Sequence, residues 1–135
     1  MDECIFCKIL RGELPSYKVY EDEHVLAFLD IHPVNAGHTL VVPKTHSKNI
    51  FDVSSENWAR VAGVVRMLAI TIEKAVGANG INIGMSNREH AGQTVDHTHV
   101  HIIPRFKGDG LKLMPQGTYK QGEAETTLAK ILAAL

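Results

Sequence analysis

The sequence predicts an α+β fold in which a mainly antiparallel sheet packs against one long helix. Two observations support this prediction. Short apolar runs end at turn residues, as strands do, whereas one longer segment repeats its apolar residues every three or four positions, as one face of a helix does. Strands and one long helix in this order are typical of α+β proteins. A length of 135 residues suits a single domain, which we place at residues 1–135.

Five short segments, each rich in apolar or β-branched residues, are predicted as strands. They are residues 19–20, 25–29, 39–42, 81–85 and 95–103. Pro43 and Pro104 are predicted to stop the third and the fifth, because proline has no N–H to donate to a strand ladder.

One long helix is predicted between a serine and a glycine boundary. Ser54 or Ser55 is suited to cap its start, and Gly77 and Gly80 end the periodic pattern. One apolar face is formed by Trp58, Val61, Ala62, Val65, Leu68, Ala69, Ile72 and Val76. A second helix is predicted from about residue 123 to residue 135, where it closes the chain and packs against the rest.

Composition and charge exclude several classes of protein. The 14 basic and 15 acidic side chains give a net charge of -1, which does not favour binding to nucleic acid or to an anionic membrane surface. No apolar run approaches the roughly 18 residues that span a bilayer. The acidic start lacks the pattern of a secretory signal, and two cysteines are too few for a disulfide scaffold. We therefore expect a cytoplasmic protein.

The most informative feature is a run of alternating histidines. His97, His99 and His101 lie on one face if their segment is a strand, and Val100 and Ile102 then point into the core. Only about 0.03 such triplets are expected by chance in this composition. Imidazoles suit nucleophilic attack, proton transfer or metal binding. A solvated histidine-rich strand and a three-histidine zinc site remain alternatives.

The residues around this run favour an anionic ligand. Gly92 permits close approach of backbone N–H groups, and Gln93 and Thr94 offer neutral donors. His38 follows a turn segment and opens a predicted strand. A nucleophilic imidazole on a rigid strand, with neutral donors beside it, is suited to act on an anionic ligand.

The sequence resembles the histidine-triad (HIT) superfamily. The resemblance is carried by residues 91–105, by two upstream blocks at 27–33 and 37–44, and by residues 4–9. The short chain and its Cys-x-x-Cys start are similar to bacterial members of the Hint branch. This resemblance implies an antiparallel sheet of about five strands, a symmetric homodimer, and attack on the α-phosphorus of a bound purine nucleotide.

The resemblance also implies a role for three histidines. His99 would be the nucleophile and would form a nucleotidyl-histidine intermediate that water then cleaves. His101 would contact the phosphate or the leaving group and assist proton transfer. His38 matches the upstream active-site histidine of the family.

Five further residues would bind the substrate if the resemblance holds. Asp30 would hold the ribose hydroxyls, with Ile31 beside the base. Gln93 and Thr94 would bind phosphate oxygens or the leaving group, and Asn87 would lie near them.

A structural zinc site is a further implication of the resemblance. Two cysteines alone form half of a zinc site. In some HIT relatives, two cysteines, a later histidine and the first histidine of the triplet bind zinc, which here predicts Cys4, Cys7, His46 and His97. Such a closed set leaves no open position, so the ion would be structural. Free buried thiols and a redox pair are the alternatives, although no helix is predicted after the cysteines.

The resulting prediction is a hydrolase of purine nucleoside phosphoramidates or aminoacyl adenylates. One alternative is a dinucleoside polyphosphate hydrolase, which differs only in the leaving group. The other is a non-catalytic protein that binds nucleotides or uses zinc in an interaction.

Overall fold

The computed structural model describes residues 3–135, so residues 1–2 of the predicted domain and of its acidic start lie outside the described residues. Helices and strands follow one another in the order α1 (Ile5–Leu10), β1 (Lys18–Glu21), β2 (Val25–Leu29), β3 (Thr39–Pro43), α2 (Ser55–Val76), β4 (Gly80–Gly84), β5 (Val100–Arg105) and α3 (Glu123–Ala134). A single 3₁₀ turn, Glu89–Ala91, lies between β4 and β5.

The five strands form one sheet in the order β1-β2-β3-β5-β4, and every neighbouring pair is antiparallel. This architecture confirms the predicted α+β class. Strand β3 lies at the centre, where it pairs with β2 on one side and β5 on the other. Because His101 lies on β5, the histidine run enters the middle of the sheet rather than an edge.

Each face of the sheet carries its own apolar layer, because side chains alternate along a strand. On one face, α2 buries its apolar stripe against the sheet, in a cluster that includes Val25, Val41, Val65, Val100 and Ile102. Val100 and Ile102 thus point into the core, as predicted. On the other face, α1 contributes Phe6 to a cluster with Leu26, Phe28, Leu40 and Val42. The second face also carries the residues of the site.

The predicted boundaries of the long helix are confirmed. The Ser54 side chain accepts a hydrogen bond from the backbone N–H of Asn57, as an N-cap residue does. The helix ends at Gly77, whose φ of 67° lies in the left-handed region that glycine adopts easily. Trp58 packs at the edge of the core cluster.

One of the two shorter helices differs from the prediction. Helix α1 was not expected, because six residues are too few to show a helical period. The Cys4 sulfur accepts a hydrogen bond from the backbone N–H of Cys7 and so caps this helix. Helix α3 forms where predicted, and none of its residues is fully buried. Within residues 3–135, no helix is both long and apolar enough to cross a membrane.

The fifth strand begins later than predicted. Residues 95–99 are not part of it, and β5 starts at Val100. The backbone N–H of Thr98 donates to the carbonyl of Ser47, at 2.7 Å, instead of joining the ladder with β3. His97 and His99 therefore lie in the approach to the strand, and only His101 lies within it.

Strand β3 ends at Pro43, as predicted, whereas Pro104 lies inside β5, which continues to Arg105. Pro43 pairs with Val25 and Pro104 pairs with Ile81, and both residues are fully buried. At each of these two positions, the strand pairs with only one neighbouring strand. The missing N–H of proline therefore costs no hydrogen bond on the unpaired side. A proline that faces an unpaired side does not break a strand.

We expect Gly37→Ala to destabilise the fold by about 1–3 kcal/mol. Gly37 has a φ of 97°, and a Cβ there would lie 3.1 Å from Pro104 Cγ and 3.2 Å from Val76 Cγ1. Urea unfolding measures the loss. Gly63→Ala is the matched control, because a Cβ at Gly63 meets nothing within 4 Å and alanine favours a helix by up to about 1 kcal/mol. Equal stabilities of the two variants would contradict this account.

Candidate functional site

Four metal-ligand side chains meet where α1 contacts the segment before β5. The sulfur atoms of Cys4 and Cys7 and ring nitrogens of His46 and His97 all lie within 4.8 Å of one another. The Nε2 of His97 donates to the carbonyl of Pro43, at 2.8 Å, because a carbonyl can only accept. The Nδ1 of His97 therefore presents its lone pair to the other three ligand atoms.

The spacing of these atoms fits a tetrahedral ion. Zinc bonds of about 2.0–2.1 Å to nitrogen and about 2.3 Å to sulfur imply N···N edges of about 3.3 Å and N···S edges of about 3.6 Å. The Nδ1 atoms of His46 and His97 are 3.2 Å apart. The Cys4 sulfur lies 3.5 Å from His97 Nδ1, and the Cys7 sulfur lies 3.3 Å from His46 Nδ1 and 3.6 Å from His97 Nδ1. The predicted set can therefore hold a metal ion.

The cysteines lie at the start of a helix, which removes one argument against a redox pair. The sequence predicted no helix after the cysteines, and the presence of α1 corrects that expectation. Burial, and then the neighbouring Cys4 thiol, raise the pKa of the Cys7 thiol. The two histidines beside the sulfur atoms favour a metal centre, since a redox pair needs no nitrogen ligands.

A chain of hydrogen bonds fixes the protonation of two histidines on the other side of the run. The backbone N–H of Val34 donates to Nδ1 of His38, at 3.0 Å, so the proton of the neutral ring is on Nε2. That Nε2 lies 2.8 Å from Nδ1 of His101, which must then accept. The Nε2 of His101 is thereby left as an N–H donor.

His99 has the opposite tautomer. Its Nδ1 lies 2.6 Å from the carbonyl of His97, so Nδ1 carries the proton and Nε2 has a free lone pair. Phe6 packs edge-on against this ring with the centroids 5.2 Å apart. The two neighbouring rings, His99 and His101, have centroids 5.1 Å apart.

The surroundings keep these rings neutral. Burial lowers the pKa of His99, and the hydrogen bond to the His97 carbonyl and then the Asp30 carboxylate only partly oppose this. Burial also lowers the pKa of His38, partly opposed by Asp30. Burial, followed by the neighbouring His99 and His38, lowers the pKa of His101 to about 4. The lone pair and the N–H donor described above are therefore both present near neutral pH.

A cavity of about 570 Å³ opens beside these two rings. His99 and His101 form part of its wall, and the rest is mainly apolar, with Ile5, Phe6, Ile9, Leu14, Phe28 and Leu40 among the lining residues. Its volume and apolar lining are those of a small-molecule site.

Three of the predicted substrate-binding residues line this cavity: Asp30, Ile31 and Thr94. The Asp30 carboxylate accepts from the backbone N–H of His32, at 2.9 Å, and lies 3.6 Å from Nε2 of His38. The Ile31 side chain is 72% exposed, which leaves an apolar surface free at the rim.

Gln93 and Asn87 lie outside the wall of this cavity. The side-chain amide of Gln93, which the sequence predicts as a donor to the ligand, forms hydrogen bonds within the protein in this structure. Its amide nitrogen donates to the carbonyls of Lys48 and Val95, and its oxygen accepts from Asn49 and from the backbone N–H of Arg88. Gln93 thus holds two loops together. The Asn87 oxygen accepts from the backbone N–H of Ile50.

Two contacts at the site were not anticipated from the sequence. Phe6 touches the rings of both His97 and His99, and its only sequence signal is an aromatic residue between two cysteines. The hydroxyls of Ser47 and Thr98 are 2.7 Å apart, and both residues are buried. No local pattern reveals such a pair, because its members are 51 positions apart.

Comparison with known proteins agrees with this geometry. The family model of the HIT domain matches residues 11–108. A crystal structure of a HIT-family member from Bacillus subtilis superposes with a TM-score of 0.90 at 44% identity, over 98% of this chain and 97% of that chain. A zinc-bound histidine triad family protein from Mycobacterium smegmatis superposes with a TM-score of 0.79 at 36% identity, over 99% of each chain.

Among the similar curated proteins, one of those named for an activity comes from fission yeast. It is the adenosine 5′-monophosphoramidase hnt1 of Schizosaccharomyces pombe, which is 42% identical over 102 residues, or 76% of this chain and 74% of that protein. The family match covers the whole sheet, the long helix and the histidine run. The chain therefore belongs to the HIT superfamily and is a Hint-like protein.

Proposed function

We propose that this protein hydrolyses purine nucleoside phosphoramidates, or aminoacyl adenylates, at the α-phosphate. The observation that carries the proposal is the tautomer of His99, whose Nε2 lone pair is free on a ring that lines the cavity. The activity named for the fission yeast relative supports the substrate class. In this proposal, the apolar part of the cavity takes the purine, and Asp30 accepts hydrogen bonds from the ribose hydroxyls.

The proposed reaction has two steps. In the first, Nε2 of His99 forms a bond to the α-phosphorus, and the bond from phosphorus to the leaving group breaks. His101 donates a hydrogen bond from Nε2 to the leaving group, which takes its proton from a water molecule. In the second step, the hydroxide left from that water attacks phosphorus, and the bond to His99 breaks. His38 keeps the proton of His101 on Nε2 between turnovers.

The remaining predicted residues support this reaction in different ways. Thr94 supplies a donor to the phosphate oxygens from the wall of the cavity. Gln93 positions Thr94, because its amide fixes the backbone on both sides of the loop. Asn87 lies on the loop that Gln93 holds, and its amide nitrogen is directed to the leaving-group side in this proposal.

We extend the proposal to a structural zinc ion held by Cys4, Cys7, His46 and His97. The distances between their ligand atoms and the zinc-bound mycobacterial structure support it. The ion would add no chemistry to the reaction. It would fix the backbone of His97, whose carbonyl orients His99.

We also propose that the protein is a homodimer and that it is located in the cytoplasm. Edge strand β4 carries Ile83, which is 55% exposed, and α2 carries Ile70, which is 58% exposed. Apolar residues on a sheet edge and an adjoining helix suit an interface with a second copy. A sedimentation mass equal to one chain of 14.9 kDa would refute the homodimer.

His99→Ala is expected to lower the hydrolysis of an adenosine 5′-phosphoramidate by at least about a thousandfold, because the nucleophile is lost. The AMP affinity and the circular dichroism spectrum should be preserved. Brief mixing of the parent protein with substrate, acid quenching and mass spectrometry should find a nucleotidyl adduct on His99. His24→Ala is the matched control, since His24 lies outside the cavity wall.

The outcome also separates the alternatives. Comparable turnover by His99→Ala would overturn the nucleophile assignment. Faster turnover of diadenosine polyphosphates than of phosphoramidates by the parent would favour the polyphosphate hydrolase. Nucleotide binding without turnover of either substrate would favour the non-catalytic protein.

The native protein is expected to contain one zinc ion per chain, and His46→Ala should lose most of it. Its melting temperature should fall with the metal, because the ion binds the folded chain and joins α1 to the segment before β5. Elemental analysis and thermal melts with and without a chelator measure both effects. His90→Ala, an exposed histidine, serves as control. Native protein without metal would reject the zinc site.

A further inference from the structure

Arg88 has a backbone conformation that non-glycine residues rarely adopt. Its φ of 76° and ψ of 160° fall in a region that is essentially restricted to glycine. Within residues 3–135, it is the only non-glycine residue with a positive φ. Arg88 therefore carries a side chain at a position where glycine would make the folded chain more stable.

Contacts on three sides hold Arg88 in this conformation. Its backbone N–H donates to the side-chain oxygen of Gln93, at 2.7 Å. Its carbonyl accepts from the backbone N–H groups of Ala91 and Gln93, each at 3.1 Å. Its guanidinium lies 4.0 Å from the centre of the Phe51 ring, which is 64% exposed.

The loop that carries Arg88 leaves the sheet beside the catalytic strand. Gly84, the last residue of β4, is the pairing partner of His101 on β5. Since the strands are antiparallel, the chain beyond Gly84 runs toward the residues that precede His101, of which His99 is one. The loop returns through Gln93 to Thr94, which lines the same cavity as His99. Arg88 therefore lies on the loop that connects the pairing partner of His101 to the cavity-lining residue Thr94.

Two neighbouring side chains on this loop have donors without an acceptor. Among residues 3–135, no hydrogen bond or ion pair engages the guanidinium of Arg88 or the amide nitrogen of Asn87. Stacking on Phe51 covers one face of the guanidinium and leaves the N–H groups on its edge available. A planar guanidinium fixed in this way is suited to bind an oxyanion with two hydrogen bonds.

We propose that Arg88, assisted by Asn87, binds a negatively charged group on the leaving-group side of the substrate. This inference rests on the proposed hydrolysis at the α-phosphate. It narrows the substrate class to adenylyl compounds whose leaving group carries an oxyanion, either a carboxylate or a phosphate. Arg88 is in this account a determinant of specificity, since it touches the leaving group and not the phosphorus.

The test for a carboxylate compares two phosphoramidates of AMP that differ in one charge. One has propylamine as its leaving group, and the other has β-alanine. The parent should prefer the β-alanine compound, and Arg88→Gly should reduce this preference in kcat/KM by at least about tenfold. Arg88→Gln removes the charge without changing the backbone to glycine and should do the same. Arg66→Gln, an exposed arginine on α2, is the matched control and should keep the parent ratio.

The test for a phosphate uses binding instead of turnover. In a His99→Ala background, the affinity for ADP should exceed the affinity for AMP. Adding Arg88→Gly should lower the ratio of these two affinities by at least about tenfold. Arg88→Gly should also raise the melting temperature by a few degrees, because the backbone strain is relieved. A merely structural Arg88 would change the melting temperature and leave both ratios intact.

Each combination of results decides the question. A loss of preference in the first test identifies a carboxylate, and a loss in the second identifies a phosphate. Unchanged ratios in both tests overturn the role of Arg88, whereas hydrolysis of the phosphoramidates would still support the proposed function. Failure of the parent to hydrolyse either phosphoramidate contradicts the proposed function, and the ADP test then still decides whether Arg88 binds an oxyanion.

Discussion

The hydrogen bond from the His99 ring to the carbonyl of His97 is the interaction on which the account of the site depends. At 2.6 Å, it fixes which nitrogen of His99 carries the proton and which has a lone pair. The three alternating histidines lie within five residues of one another, but each ring has different neighbours. The His97 ring faces two sulfur atoms and His46, the His99 ring faces the cavity, and His101 receives a hydrogen bond from His38. One short backbone segment therefore joins the metal-ligand cluster to the cavity.

This segment needs support from outside the sheet, because it precedes the strand. Thr98 is tied to Ser47 through its backbone and its hydroxyl, and the His97 ring is tied to Pro43. The side chain of Gln93 holds the neighbouring loop closed, because its oxygen accepts a hydrogen bond from Arg88 and its nitrogen donates one to Val95. A metal ion in the cluster would add a further tie to α1. Packing and hydrogen bonds from surrounding residues can hold a functional side chain in its productive geometry.

The sequence predicted those parts of the molecule that have a local signal. The long helix has a strong period and clear caps, and its boundaries Ser55–Val76 agree with the pattern. The start of β5 was misplaced because residues 95–99 have the composition of a strand but bond to a distant loop. Helix α1 is too short to show a period. The structure brings the four proposed metal ligands together, whereas the occupied amide of Gln93 depends on contacts that no sequence pattern encodes.

The most direct test of the central interaction is nitrogen-15 NMR of the histidine rings in the native protein near neutral pH. Ring nitrogens with and without a proton have clearly different shifts, so each tautomer can be assigned. We predict that His99 carries its proton on Nδ1 and that His101 carries its proton on Nε2. A protonated Nε2 on His99, whether in the other tautomer or in a doubly protonated ring, would contradict the account.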